Sequence, residues 1–383
     1  MNSGFSMLKV KGFRRLRDTE LRLNGLNVLI GANGVGKSSI LEVLRLLAAS
    51  ANGRLQETIS GMGGVGSLIT HGEDSLRIEI ELPVSDEPSM HYDLEIQKGG
   101  QAYAVGLERL LQHRRGSAQK PAKYIESNRH DIRYYEKNSS KVVRPTWQHQ
   151  PFETSLAQVP KMFQVPEHFR QLLGSSTLYH VLDVSLRAPV RSPQQIRPIT
   201  MPGVDGEDLL SCLYSLRESD RDRFDAITDT LEAAFSTFER VELPPAAAGL
   251  ISLAWKDSNY KQPFFAHQLS EGTLRFLWLV TLLQSPDLPT VTMIDEPEVS
   301  LHPEMLRILA ELMRESAQRT QLMVATHSDR LVRFLKPEEL VVCDLDEKGG
   351  AAVTRANELD IENWLKDYSL DELWSLGRLG GRS

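Results

Sequence analysis

The chain has 383 residues, 41% hydrophobic and 25% charged, a globular composition sufficient for one large domain or two to three lobes. Its formal net charge of −7 excludes a protein that coats nucleic acid through bulk charge, so any such contact must come from a local patch. The longest apolar run, FLWLVTLL at 276–283, falls far short of the ~20 residues that span a bilayer.

MNSGFSMLKVKGFRRLRD has no apolar run of signal-peptide length and reads as a strand and turn. LKVKGF and TELRLNGLNVLI alternate as strands, and the second ends in GANGVGKSS before SILEVLRLLAAS, which has helical spacing. The glycine-rich ANGRLQETISGMGGVGSLIT reads as a mobile connector, and the alternating SLRIEIELP and HYDLEIQKGGQAYAVGL as strands, with a hairpin turn at Lys98-Gly99-Gly100-Gln101. Residues 108–147 carry ten Lys or Arg against four Asp or Glu, interleaved with Tyr124, Tyr134, Tyr135 and Trp147. That segment is either a DNA-contacting patch or the solvated rim of an antiparallel sheet. EDLLSCLYSLRES and DRFDAITDTLEAAFSTF read as helices, the latter with Phe224, Ile227, Leu231, Phe235 and Phe238 on one face; neither sustains the heptads of a long coiled coil. GLISLAWKDSNYKQPFFAH follows as a hairpin, and then TVTMID, PEMLRILAELMRESA, QLMVATH, SDRLVRFL and ELVVCDL alternate strand and helix, the pattern of a parallel sheet covered by helices. Cys212 and Cys343 sit among apolar residues without zinc or disulfide spacing, and read as buried free thiols of a reducing, cytoplasmic compartment.

Three segments carry chemistry. Gly31 to Ser38 fits G-x-x-x-x-G-K-[ST] with the strand before and the helix after that such a loop requires. Its glycines let backbone N–H groups close on phosphates, the helix N-terminus adds positive potential, Lys37 reaches the β- and γ-phosphates, and the Ser38 hydroxyl can ligate Mg²⁺. The nucleotide-binding set is therefore Asn33, Gly34, Gly36, Lys37, Ser38 and Ser39, with ATP and Mg²⁺ as the ligands. Asp295 and Glu296 end an apolar strand, where Asp295 is suited to Mg²⁺ and Glu296 to a general base. His327 ends the next strand, within reach of the γ-phosphate and the attacking water. Asp344 and Asp346 fit a strand ending in a turn better than a D-x-D metal site.

GANGVGKS, LSEGT at 269–273, MIDEPEVSLHP and the terminal His327 together resemble the ATPase heads of the ABC superfamily, closely over the first ~50 residues and over about 260–345. LSEGT stands where that family has an LSGGQ-like signature; it departs at two positions but keeps Ser270 and Gly272, which the resemblance assigns to the γ-phosphate held by a second subunit. The resemblance further implies a glutamine touching Mg²⁺ and water, for which Gln158 is the candidate against an ordinary surface glutamine. It also implies adenine or phosphate contacts from the KGFRRLRD turn, through Phe13, Arg14 or Arg15. Ser300, Leu301 and His302 look like the dimer-contact loop, His302 being equally suited to packing.

About 230 residues separate Ser38 from Leu269, room for an additional domain. That gap, LKVKGFRRLRD, DEPEVSLHP and the ending WLKDYSLDELWSLGRLGGR look like the RecF/SMC/OLD-like branch, and in particular like standalone ATPases similar to overcoming-lysogenization-defect proteins. Only 56 residues follow His327, so a Toprim nuclease is not expected. The expected fold is α/β, an ABC-type head with a P-loop mixed or parallel sheet, an antiparallel β subdomain and an inserted helical region. Its expected divisions are 1–159, 160–262, 263–345 and a C-terminal tail at 346–383. The expected function is a head-to-tail ATP-sandwich homodimer, with higher assembly left open, that regulates a separate effector such as a nuclease or toxin in anti-phage defence. A RecF-like DNA-repair ATPase touching DNA through 108–147 is the alternative, a transporter subunit is a weaker one, and no membrane partner is expected.

Overall fold

The computed structural model describes residues 4–84, 87–99, 102–113, 121–128, 131–135, 142–145, 149–361 and 364–380. The chain opens with the hairpin β1 (Met7–Phe13) and β2 (Leu16–Arg22) and enters β3 (Leu26–Ile30), whose five residues are all buried. After the glycine-rich loop comes α1 (Lys37–Ala51). The stretch read as a mobile connector instead folds as α2 (Leu55–Gly61) and α3 (Val65–Leu68), because Leu55, Ile59, Val65 and Leu68 each reach the core. Their apolar spacing outweighs the cost of the glycines.

β4 (Ser75–Val84), β5 (Glu87–Gly99), β6 (Ala102–Gln112), β7 (Ala122–Asn128), β8 (Ile132–Tyr135) and β9 (Val142–Val143) run antiparallel. With the first hairpin they make an eight-stranded sheet, β2-β1-β4-β5-β6-β7-β8-β9. Gly99 pairs with Ala102 at the expected hairpin, whose residues 100–101 lie outside those described. Then follow α4 (Gln164–Gly174), β10 (Thr177–Tyr179), β11 (Gln194–Gln195), α5 (Leu209–Ser219), α6 (Arg221–Ala234), β12 (Phe238–Glu242), β13 (Leu250–Ile251), β14 (Ala254–Asp257) and β15 (Phe264–Phe265). The region expected as a helical insert thus also supplies a strand of the main sheet. α6 stops at Ala234, so Phe235 and Phe238 fall outside the helical face; Phe235 packs edge-on against Trp255 and Phe276.

The last third gives α7 (Glu271–Gln284), β16 (Val291–Asp295), α8 (Pro303–Ser316), β17 (Gln321–Ala325), α9 (Asp329–Val332), β18 (Leu340–Leu345), β19 (Ala351–Arg355) and α10 (Leu370–Ser375). The six-stranded sheet β10-β16-β17-β3-β18-β19 is parallel except for β19. Side chains alternate across it, which is why its strands are apolar throughout. Val28, Ile294 and Val324 enter a core with α5 to α9, while Leu29, Met293 and Met323 enter a second core with α1 and the antiparallel sheet. Because β3, β16 and β17 are parallel neighbours, the loops after all three open at one sheet edge.

Candidate functional site

The loop after β3 depends on glycine at specific points. Gly31, Gly34 and Gly36 have φ of 145°, 76° and 118°, and a Cβ on Gly31 would collide with the Cys343 carbonyl oxygen of β18. Lys37 is only 4% exposed, and its Nζ donates to the Gly31 and Ala32 carbonyls at 2.7 Å each. Burial lowers its pKa, although Asp295, Glu296 and Glu298 pull the other way. Asn33, Gly34 and Ser38 are exposed at the mouth of the loop and Ser39 is half-buried, at the head of α1.

Asp295 ends β16 opposite Ala325, and the Glu296 N–H donates to the Ala325 carbonyl at 2.8 Å. Glu296 holds a left-handed φ of 52°, a conformation that costs a side-chain-bearing residue of order 1–3 kcal/mol and concentrates at functional sites. His327 meets both other segments, with Nδ1 3.4 Å from Lys37 Nζ and Nε2 3.8 Å from Glu296 Oε1. Burial, and then the Lys37 charge, lower the His327 pKa, which favours the neutral imidazole. Asp295 is shifted up by burial and by the Glu296 charge beside it. Asp295 and Glu296, adjacent in the chain, supply hard-oxygen donors of the kind that Mg²⁺ accepts.

Two further residues belong to this edge. Glu298 accepts the Thr326 hydroxyl at 2.6 Å and the His327 N–H at 3.1 Å, tying the acidic loop to the histidine. Burial raises its pKa. His180 follows β10, whose Tyr179 pairs with Ile294, and shares a cleft with Asp295 and Glu296. The signal for it was present: TLYH, like VATH, is an apolar strand ending in histidine.

Gln158 does not join them. Its loop packs at the C-terminal end of α1, where Thr154 Oγ1 donates to the Ser50 carbonyl and Ala157 lies beside Gly53. Fifteen helical residues at 1.5 Å each put that end ~20 Å from the phosphate loop. Its amide instead donates to the carbonyls of Gln150, Glu153 and Thr154, so the ordinary-glutamine alternative is the correct one.

Phe13 is fully buried and unable to meet a base, and Arg14 pairs with Glu42. Arg15 is exposed, and its carbonyl accepts the Ala351 N–H at 2.8 Å; a Cβ on Gly36 would touch both Ala351 and Leu16. The turn therefore leans on the phosphate loop with Arg15 outward.

Ser270 caps α7, its Oγ accepting the Thr273 N–H at 3.1 Å. A Cβ on Gly272 would collide with the Ser300 carbonyl oxygen, and Ser300 itself has a φ of 65°. Leu301 is half-buried, whereas His302 is exposed 3.8 Å from Glu304, which excludes the packing role. Asp346 closes a turn, accepting the N–H groups of Lys348 and Gly350. Among the described residues, no group of three or more His, Cys, Asp or Glu is arranged to hold a metal ion, and no helix is long and apolar enough to cross a membrane.

In the basic segment, Tyr124 and Tyr134 are 2% and 0% exposed, so neither ring can stack on a base. Lys123 pairs with Glu126, Arg133 and Arg144 with Asp131, and Arg109 faces Glu126 across the strands. The other six cations and Trp147 lie outside the described residues.

Residues 26–333 match the family described as "AAA domain, putative AbiEii toxin, Type IV TA system". The chain belongs to that family. Over 104 residues this AAA-type chain is 35% identical to the DNA replication and repair protein RecF of Vibrio cholerae, and over 100 residues 34% identical to that of Vibrio atlanticus. These matches cover 25% of the chain and 28% and 27% of the relatives, so it spans under a third of their length. Its fold is that of an SMC head. The head bound to the C-terminal winged-helix domain of ScpA superposes with a TM-score of 0.58 at 12% identity, over 93% of this chain and 99% of the other. The Pyrococcus furiosus head bound to the C-terminal domain of ScpA gives 0.54 at 12%, over 95% and 98%. The protein is an ATPase-type domain of the ABC superfamily, in its RecF/SMC-like branch.

Proposed function

We propose that the protein binds and hydrolyses ATP in a head-to-tail dimer and thereby controls a separate effector protein. The carrying observation is the chain of contacts from Lys37 through His327 to Glu296, which joins the three strand-end segments at one edge. Backbone N–H groups of Asn33 to Gly36 hold the phosphates, Lys37 releases its loop carbonyls to reach the β- and γ-oxygens, and Ser39 supports the head of α1. Ser38 and Asp295 would hold Mg²⁺, which when bound offsets the phosphate and carboxylate charge. Glu296 takes a proton from a water that attacks the γ-phosphorus as the bond to ADP breaks, and neutral His327 orients that water and the γ-phosphate. General-base assistance of this kind contributes ~10²–10⁴-fold. Arg15 flanks the nucleotide.

Ser270 and Gly272 have another task. The Ser270 hydroxyl, exposed at a helix N-terminus, suits an anion supplied by the second copy. Glu296→Gln should retain ATP and Mg²⁺ without turnover and shift the protein from one chain to two in light scattering. A mass that stays at one chain with ATP bound would defeat the sandwich.

The family's description, a putative AbiEii toxin of a type IV toxin–antitoxin system, supports a toxin–antitoxin setting; in our reading the effector is a separate protein, such as a nuclease or toxin in phage defence. The identity to RecF proteins favours a second reading, a repair ATPase that contacts DNA itself. The pairing of Lys123, Arg133 and Arg144 with carboxylates weighs against that segment as the contact.

A further inference from the structure

Arg275 belongs to none of the recognised motifs, yet three segments of the site meet on it. It lies one turn into α7 beyond the Ser270 cap, with a side chain only 14% exposed. Its guanidinium donates to Ser300 Oγ, in the loop after the acidic strand, while Nε donates to the Leu182 carbonyl at 3.2 Å, in the segment after β10. Glu271, in the first turn of α7, lies 3.5 Å away. The same side chain lines a small cleft whose other polar walls are His180, Asp295 and Glu296.

The gripped loop is held in an unfavourable shape. Glu296 and Ser300, four residues apart, both have left-handed φ values, 52° and 65°, which persist only when the surroundings over-determine them. Two contacts do this from α7. Gly272 fits under the Ser300 carbonyl with no room for a Cβ, and Arg275 fastens the Ser300 hydroxyl. A planar guanidinium can serve the serine, the Leu182 carbonyl and the glutamate together, which a lysine ammonium on a flexible stem does poorly.

We infer that Arg275 is a positioning residue that locks the Ser270–Gly272 end of α7 to the loop carrying Glu296, so that a chain's own general base and the surface it offers to a second copy move as one body. This rests on the ATP-sandwich reading for the role of Ser270 and Gly272. The coupling runs within one chain, and any shift of Glu296 during turnover is passed through Ser300 and Arg275 to α7. Binding of nucleotide to the phosphate loop does not require it.

Arg275→Ala, Arg275→Lys, Ser300→Ala and the double variant Arg275→Ala/Ser300→Ala separate these roles. A fluorescent ATP analogue with Mg²⁺ should bind Arg275→Ala within about twofold of the parent, while kcat falls at least about tenfold. Lysine should restore part of kcat, Ser300→Ala should lose kcat selectively, and the double variant should be no slower than Arg275→Ala, as expected for two residues acting through one contact. Within the Glu296→Gln background, Arg275→Ala should weaken ATP-driven dimerisation. Unchanged kcat in Arg275→Ala, or equal losses of affinity and kcat with a lowered Tm, would overturn the inference. If Arg275→Ala does not fold, Arg275→Lys decides, full turnover counting against. Failure of Glu296→Gln alone to dimerise defeats the sandwich, whereas a selective kcat loss in Arg275→Ala would still establish the link within the chain.

Discussion

Lys37, His327 and Glu296 lie in a row at 3.4 and 3.8 Å, so the protonation of the middle member governs the two outer ones. A charged imidazole would be repelled by the Lys37 ammonium and drawn to the Glu296 carboxylate, which in the proposed mechanism accepts a proton from water. The His327 pKa lies below its ordinary 6.5 in the folded chain, so on acidification the unfolded chain takes up that proton first. The stability due to this group is therefore intact above about pH 6.5 and declines as the pH falls below it. With the side chain 36% exposed, the effect is small. Between pH 7.5 and 5.5 the parent should lose about 1–2 °C more in Tm than His327→Gln, measured by scanning calorimetry. Equal losses in the two proteins would show that the imidazole is not held neutral.

Among the elements, the phosphate loop is the least tolerant of change. Gly31 combines a φ of 145° with the Cys343 carbonyl where a Cβ would stand, so strand β18 fixes its identity from a distant part of the chain. Gly31→Ala should push β3 from β18, lowering Tm by several degrees and abolishing nucleotide binding. Gly34→Ala, in open space, should cost only the strain of its φ of 76° and keep most of the Tm. Comparable Tm values for the two variants would refute this account. Much of this edge is legible in sequence because each piece is local: a glycine pattern, an apolar strand ending in carboxylates, another ending in histidine. Glu298 and Arg275 escape such reading, since their partners, Thr326, His327, Ser300 and Leu182, lie 25 or more residues away. Gln158 misleads for the converse reason. Its sequence neighbourhood suits a site glutamine, but the packing of Thr154 on Ser50 takes it to the wrong end of α1.

For the whole molecule, the question is whether the antiparallel sheet touches nucleic acid. Composition marks 108–147 as basic, but sequence cannot reveal that Tyr124 and Tyr134 point inward or that Lys123, Arg133 and Arg144 meet carboxylates. If those pairs are all that the cations do, neutralising Arg109, Lys123, Arg133 and Arg144 should change the slope of log affinity for duplex DNA against log salt by less than one. If all four contact phosphates, the slope should shrink by about 0.9 for each. The six-stranded sheet is legible only as a class, since the alternating last third announces it while the short edge strand β10, between two helical stretches, carries too few residues to signal a strand.

The position of β3 also has a consequence for biosynthesis. This strand leaves the ribosome among the first, yet both neighbours that pair with it, β17 and β18, come from residues 321–345. At ~5–20 residues per second, its two open edges wait some tens of seconds for their partners. During that interval a fully apolar strand is exposed to mispairing, and the nucleotide pocket cannot close on ATP. The strand that leads into the phosphate loop is therefore complete in its pairing only after residues 321–345 have been made.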